Sequence, residues 1–583
     1  MKKPRKHPGE KASRAASGNV AYSRQGALRS CTVGALPILN DLLKRMRLEE
    51  FLQAYLPPKD HRSKLAPAKA LLVLLRNLLL SREPIYGMGE WAARHAPDLL
   101  GLSPQELSLL NDDREGRAMD CLFQADVPSL VLAVATHTVR EFQVGLDELH
   151  NDSTSITVHG AYATAAEEHR YQGRPTLAIT FGHNKDHRPD LKQLLYILTV
   201  TNDGGVPIHF RAESGNTTDD QTHCDSWELL CQLTGRRDFL YVADCKLASR
   251  ENMTYLDRRG GRFVTVLPRT RSEDAAFRKR LLESPIAWHP LWEKTDDEGN
   301  VIDSFSVLDE PTVTDEGFRL LWYHSTRKAE LDAATRTHHV EQALLQLGQL
   351  RRKLAGPRTR YHQADQVQQA VDGILEACDA VDFAHVRILP REQERFRQET
   401  RGRPGPTTRY VKNVSTRFDL DYEIDVERLY RQRQGDGVFP LVSNDRRLSE
   451  LELLHAYKRQ PTIEKRFSQL KTDFTVAPVY LKRVHRIQAL LCLYFFALLI
   501  EALLERELRR AMKREGIEDL PMYPEGRACR WPTARRLIDL FEPIQRHTLE
   551  CGNGKVEVIG TELTKLQRKI LKLLKITSRD YGG

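Results

Sequence analysis

Asp152, Asp244 and Glu464 stand where a site for phosphoryl transfer through two metal ions would place its carboxylates. Two divalent ions about 4 Å apart can hold both the attacking and the leaving oxygen of a phosphodiester, and they need hard oxygen ligands on rigid elements. Asp152 follows the run Leu146-Asp147-Glu148-Leu149-His150-Asn151 and opens Asp-Ser-Thr, which predicts a position on or at the end of a strand. Asp244 closes Phe239-Leu240-Tyr241-Val242-Ala243, a buried strand by composition. Glu464 falls on an amphipathic helix, Ile463 to Leu470, crowded with Lys and Arg. Lys471 lies seven residues further on, so on one α-helix the two share a face to within about 20°. Ile463, Phe467 and Leu470 would pack this helix against a sheet, leaving Lys471 to neutralise a phosphate. Taken alone, each acid is more often a cap or a surface charge; the constellation carries the reading.

Other charged residues compete less well. Asp186, Asp190 and Asp203 fit turn chemistry, Asp203 most clearly inside Asn202-Asp203-Gly204-Gly205. Lys185, His187, Arg188 and Lys192 form a basic cluster suited either to gripping a DNA backbone or to solvent. His187 is a poor ligand for Mg²⁺, which favours oxygen. Tyr457 could reach a terminal phosphate through its hydroxyl, with half-buried packing the alternative. Trp288, Trp292 and Trp322 are better explained by core packing than as a platform for a flipped base.

Strands and helices must position these groups. Residues 35–145 read as helices, with Pro67 starting the apolar helix to Leu80, a shorter piece over Tyr86–His95, and Asp126-Val127-Pro128 opening another helix toward Val144. A helix-turn-helix is possible there, with Arg76, Arg82 and Arg94 toward phosphate; plain helical packing fits equally. From about 146 the pattern turns to strands. Thr176–Phe181 alternates, and Leu194–Thr201 and Val206–Arg211 flank the Asn-Asp-Gly-Gly turn as a hairpin. A helix over 219–233, the 239–243 strand, a helix over 249–258 and a strand over 263–267 complete an α/β domain with a mixed sheet. Residues 271–445 read as an insertion with a β part and a helical hairpin, Val340–Leu354 and Val367–Ala377; Arg401–Pro406 reads as a linker-like turn.

The 583 residues carry a net charge of +9. Within 1–30, eight Lys and Arg face Glu10 alone, an arm expected to be disordered without a polyanion to bind, or else a solvated tail or targeting segment. Nine cysteines without a C-x-x-C pair fit neither a disulfide framework nor a zinc site. The longest apolar stretch, Ala489–Ile500, is shorter than a membrane span and predicts a buried core helix. A cytosolic protein with no membrane partner is the expectation.

Asp152-Ser153-Thr154, Val242-Ala243-Asp244 and Tyr457…Glu464…Lys471 resemble the DDE transposases of bacterial insertion sequences. The resemblance is to the cut-and-paste group with a Tyr-x2-Arg-x3-Glu-x6-Lys signature. Gln460 fills the signature Arg position here, with Arg459 beside it. The runs Leu110-Asn111-Asp112-Asp113-Arg114 and Asp186-His187-Arg188-Pro189-Asp190-Leu191-Lys192 are also similar to that group. The resemblance implies an RNase H-like core with flanking helices, interrupted between the second Asp and the Glu by an inserted α+β domain and preceded by an all-helical domain. It implies an arm over 1–30, a helical DNA-binding domain over 31–145, core over 146–270, insertion over 271–445, core again over 446–510 and a helical C-terminal region over 511–583. Asp152, Asp244 and Glu464 are then the catalytic metal ligands for Mg²⁺, with Mn²⁺ as a substitute. Tyr457, Arg459, Lys471 and Arg188 are then DNA contacts. The implied partners are double-stranded DNA, both terminal inverted repeats and target, and a second copy in a synaptic dimer, at the bacterial nucleoid. An RNase H-fold nuclease without strand transfer, and a domesticated DNA-binding protein with a dead site, are the alternatives.

Overall fold

Alternating and continuous apolar runs between residues 148 and 266 fold into five strands, and their order sets where the two aspartates come to rest. The computed structural model describes residues 21–23, 26–58, 64–284, 286–296, 298–308, 312–474, 481–551 and 556–581. The chain forms two units, one running to Val264 and resuming at Ala456, the other from Thr265 to His455. The expected boundaries of the insertion were 271 and 445.

In the first unit, helices α1 (Leu36–Arg45), α2 (Leu48–Tyr55), α3 (Pro67–Leu80), α4 (Asp112–Gln124) and α5 (Val127–Phe142) precede the sheet. Asp126 caps α5 by accepting a bond from the Ser129 amide at 3.3 Å. Strands β1 (Glu148–Val158), β2 (Lys192–Thr201) and β3 (Pro207–Ser214) follow as an antiparallel set. Helix α6 (His223–Thr234), β4 (Leu240–Ala243), α7 (Arg250–Arg258) and β5 (Arg262–Val266) come next. β4 runs parallel to β1 and β5 parallel to β4, so the order is β3-β2-β1-β4-β5. β1 and β2 are buried along nearly their whole length, as central strands covered on both faces must be.

The second unit contains strands β6 (Trp288–Thr295), β7 (Val301–Leu308) and β8 (Arg319–Ser325), then helices α8 (Thr326–Ala355) and α9 (Ala364–Ala377). Two 15-residue strands, β9 (Ala384–Gln398) and β10 (Tyr410–Ile424), follow, and β11 (Val438–Ser443) pairs with β8. Leu347, Leu350 and Leu354 of α8 meet Val367 and Val371 of α9 and the near end of the β9–β10 ribbon in one apolar cluster. Arg401–Pro406 is therefore the tip of a long hairpin rather than a linker. Its flanking strands lack an apolar alternation because most of their side chains face water. Trp322 is buried and stacks on Phe277, Trp292 stacks on Phe305, and Trp288 lies against His324, so all three pack.

The chain then re-enters the first unit with α10 (Pro461–Ser468), a π-helical turn over Gln469–Asp473, and α11 (Val484–Arg514). By length and composition α11 could cross a bilayer, but 94% of its apolar window is buried inside the protein. Its Leu, Phe and Ala side chains join α1, α3 and α4 and the β2–β3 face in one core. Arg76, considered for phosphate contact, lies in that core and donates to Asn40 Oδ1 at 2.9 Å; burial pulls its pKa down to about 10. α4 and α5 meet at 89°, yet each buries a face in the core.

Three further expectations change. Residues 1–20 of the basic arm lie outside the described residues, while Gly26–Thr32 is a strand paired antiparallel with Gln545–Cys551. The C-terminal region is thus not purely helical: Gln545–Cys551 also pairs with Val556–Gly560. Thr176–Phe181 does not form a strand; its only ladder contact is a bridge from Thr180 to Gln193. Pairing across more than 500 residues leaves no local trace, whereas a short alternation is easily overruled by neighbouring chain.

Candidate active site

The parallel register sets Asn151 of β1 beside Ala243 of β4, so Asp152 on β1 and Asp244, just past the end of β4, are each the next residue along. In open α/β sheets this region, past the carboxyl end of a parallel strand, is where ligands bind. Burial pushes the Asp152 carboxyl up to about 6, against the lowering effect of Lys185 and with a further rise from Asp244. Lys185 Nζ lies 3.2 Å from Asp152 Oδ1 and donates to the Ser153 carbonyl at 2.8 Å. Asp244 begins a turn in which its Oδ1 accepts from the Lys246 amide at 3.1 Å. Lys185 thus sets a positive charge against the Asp152 carboxylate, beside Asp244.

Tyr457 and Glu464 arrive from the returning chain. Pro461 opens α10, and Glu464 is exposed in its first turn. Tyr457 is half-buried, and its phenol is pushed up to about 12 by burial, then by Cys245, Glu464 and Asp244. The phenol therefore sits within electrostatic reach of both the second Asp and the Glu. Among the described residues, no three His, Cys, Asp or Glu side chains are close enough to hold one ion. The three carboxylates share a neighbourhood without converging on a point. Lys471 lies in the π-helical turn, so the spacing between it and Glu464 is not that of one uniform α-helix. It pairs with Asp186 at 2.5 Å.

Residues 147–500, more than half of the chain, match the family model described as "Transposase DDE domain". The chain belongs to the DDE transposase family. Its residues 28–136 match a second model, described as "Domain of unknown function (DUF4277)". No curated protein matches the transposase. Among solved structures, a similar chain is that of the cryo-EM structure of piggyBac transposase synaptic complex with hairpin DNA. The two are 9% identical with a TM-score of 0.32, over 87% of this chain and 76% of that one, a likeness too distant to assign a fold from.

In the transposase, Glu464 is positioned by what α10 buries. Arg466 is 1% exposed, donating from Nε to the Gly205 carbonyl and from Nη2 to the Gly204 carbonyl, both at 2.9 Å. Its Nη1 reaches Gln469 Oε1 at 2.6 Å and Glu505 Oε2 of α11 at 3.2 Å. Lys465 also reaches Glu505, at 2.8 Å. Burial alone would raise the Glu505 pKa, but Arg466, Lys465 and Arg509 hold it below the usual range. Gly205 has φ +63°, and a Cβ there would stand 2.5 Å from Thr462 Cγ2. The hairpin turn thus admits α10 at close range while its carbonyls receive the arginine.

Two further sequence-predicted DNA contacts, besides Lys471, have protein partners. Arg459 makes a two-pronged bond to Glu148, whose other contact is His150 at 2.8 Å. Burial favours the protonated form of Glu148, and the bonds from His150 and Arg459 more than reverse it. Arg459 thereby ties the turn before α10 to the start of β1. Arg188 is exposed and bonded twice to Asp190, each at 2.8 Å, in a loop where Asn184 Oδ1 accepts from the Asp186 and Arg188 amides. The sequence reading missed Lys185 as the counter-charge of Asp152 and Arg466 as an anchor. The signal for Arg466 was present: it lies three residues after Ile463, on the same packed stripe.

Proposed function

We propose that this transposase cuts and rejoins double-stranded DNA at the ends of its own insertion sequence, at a metal site formed by Asp152, Asp244 and Glu464 in an RNase H-like core. The observation that carries the reading is the pairing of Asp152 on β1 with Asp244 at the end of the neighbouring β4, with Asp152 raised to about 6 by burial and by Asp244's charge. Three antiparallel strands followed by two parallel ones, with the acids on the central two, are consistent with that core. The donor set fits Mg²⁺, with Mn²⁺ as a substitute: all three groups are hard oxygens. When bound, such ions supply Lewis-acid polarisation of the phosphodiester and an activated oxygen nucleophile.

The protein's own groups then act in definite ways. Asp152 and Asp244 hold the metal position on the sheet, and Glu464 supplies the third carboxylate from α10. Lys185 limits the repulsion between the two aspartates before substrate arrives. Tyr457 stays protonated at neutral pH, so its hydroxyl can donate to a phosphate oxygen or a carboxylate. Lys471 and Arg188, paired with Asp186 and Asp190 in one loop, can exchange those carboxylates for DNA phosphates. Arg459 acts by holding the turn before α10. Terminal inverted repeats and target DNA are the substrates, a dimer the synaptic form, and the bacterial nucleoid the place of action.

EDTA tests the metal dependence. Cleavage of element-end duplex should stop on chelation and return with Mg²⁺ or Mn²⁺, while binding to the ends persists. Cleavage unaffected by EDTA would overturn the metal site, and binding without cleavage in Mg²⁺ would support a domesticated binding protein.

A further inference from the structure

The β9–β10 ribbon divides into two halves of different character. Near its base, Ala384, Val386 and Ile388 of β9, and Phe418 and Leu420 of β10, pack on α8 and α9. Beyond Leu389, nearly every side chain on both strands is exposed as far as Thr416. Fifteen paired residues at about 3.3 Å each give an arm about 50 Å long. Such a ribbon, solvated on both faces, has no core to justify its length.

Its charges are sorted by face. Alternation places Arg391, Arg395 and Arg397 on one side of β9, with Arg417, Asn413 and Val411 opposite them in register. The next pair outward, Glu399 and Arg409, continues that side, joined by a backbone bond of 3.0 Å. The tip adds Arg401 and Arg403, both exposed. Arg391 pairs with Asp419 and Arg417 donates to the Gly356 carbonyl, so the basal arginines have protein partners. Among the described residues, Arg395, Arg397, Arg401, Arg403 and Arg409 have no ion-pair partner. The other face differs: Lys412 pairs with Glu394 at 2.5 Å, beside the exposed Phe396 and Tyr410. A solvated surface would need neither this sorting nor a run of arginine without lysine.

We propose that the distal half of this ribbon is a duplex-DNA-binding arm whose arginine face lies on the phosphate backbone. It rests on the reading that the chain acts on DNA, and adds a contact surface on the second unit. A two-stranded β-ribbon fits the major groove. Successive arginines on one face, as at 395 and 397, advance about 6.7 Å, which spans two phosphates of axial rise on one strand. Guanidinium groups bind phosphate through two parallel bonds, which favours arginine over lysine here.

The test is fluorescence anisotropy of full-length protein on a 30-bp duplex of random sequence, titrated at several salt concentrations. Each lost phosphate contact flattens the log–log salt slope by about 0.9. The triple variant R395Q/R397Q/R409Q should therefore lose about 2.7 from the slope. Between 50 and 200 mM salt it should shed about 40-fold less affinity than wild type. E394Q/K412Q, on the opposite face, should keep the wild-type slope, and thermal melts should confirm that both variants fold. A triple variant with unchanged slope and Kd would overturn the proposal. So would wild-type protein that does not bind the duplex, or a triple variant altered only in self-association. Asp244→Asn separates this from the active-site reading: it should bind with the wild-type slope and fail to cleave. Arm-dependent binding without wild-type cleavage would leave the arm standing and the active site refuted.

Discussion

Asp152 is a carboxylate kept partly protonated by its surroundings, and its ionisation should govern the site. Burial and Asp244 raise its pKa to about 6, while Lys185 opposes them. If the ionised form holds metal, cleavage should fall about tenfold per pH unit below that value, as one proton competes with the cation. Lys185→Met removes the opposing charge, so the acid limb of the pH–rate profile should move to higher pH; a limb that stays or moves down would contradict the assignment. Without metal, the same shift has a stability consequence. The folded state binds the proton more tightly than the unfolded chain, so stability falls as pH rises from about 4 to about 6 and stays lower above. Asp152→Asn removes that penalty and should raise the melting temperature of the metal-free protein at pH 7.5, by up to about 3 kcal/mol in stability. Thermal melts of the two proteins in EDTA check this. Asp152, Asp244, Tyr457 and Glu464 could be singled out as candidates because their types and spacing form a recognisable set, and Tyr457 lies within electrostatic reach of Asp244 and Glu464. The Lys185 contact was not legible, because it joins residues 33 apart through loop geometry.

At the scale of elements, α10 matters more through the side it buries than the side it exposes. Arg466, Glu505, Gln469 and the Gly204 and Gly205 carbonyls form a polar network inside the core, which Gln469 extends to Glu501. Arg466→Ala would take from buried Glu505 its buried arginine, leaving Lys465, Arg509, Gln469 and the Ala534 amide, and would remove the donor to the Gly204 and Gly205 carbonyls; it should destabilise the protein by about 3–5 kcal/mol. Chemical denaturation measures this directly, and a loss under about 1 kcal/mol would show the network to be incidental. Gly205→Ala places a Cβ on a left-handed residue and against Thr462, so it should displace α10. Its cleavage rate should fall more than its stability, as read by comparing kcat with the melting temperature. The five strands and the Asn-Asp-Gly-Gly hairpin were legible from period and turn chemistry. The π-helical turn at 469–473 was not, because residue spacing presumes a uniform helix.

Across the whole molecule, the helices of residues 36–142 and the sheet share one core through α11. Sequence composition marked a change near residue 146, but packing does not separate the chain there: the first unit takes both sides of that boundary. A protein lacking residues 1–145 should therefore fail to fold, rather than retain metal chemistry without end binding. Circular dichroism and a cooperative melt decide between the two, and a truncated protein melting cooperatively would contradict the shared core. The ends of the chain were also hidden from the sequence, since Gly26–Thr32 finds its partner strand at 545–551. The β9–β10 ribbon escaped notice because its distal half lacks the apolar rhythm that marks a strand. The most direct measurement incubates purified protein and Mg²⁺ with a duplex carrying the ends of its own element, beside Asp244→Asn as the paired variant. Wild-type cleavage leaving a 3′-hydroxyl at the element end, lost in Asp244→Asn, is the predicted result. Equal cleavage by both proteins would show that Asp244 is a bystander and contradict the site.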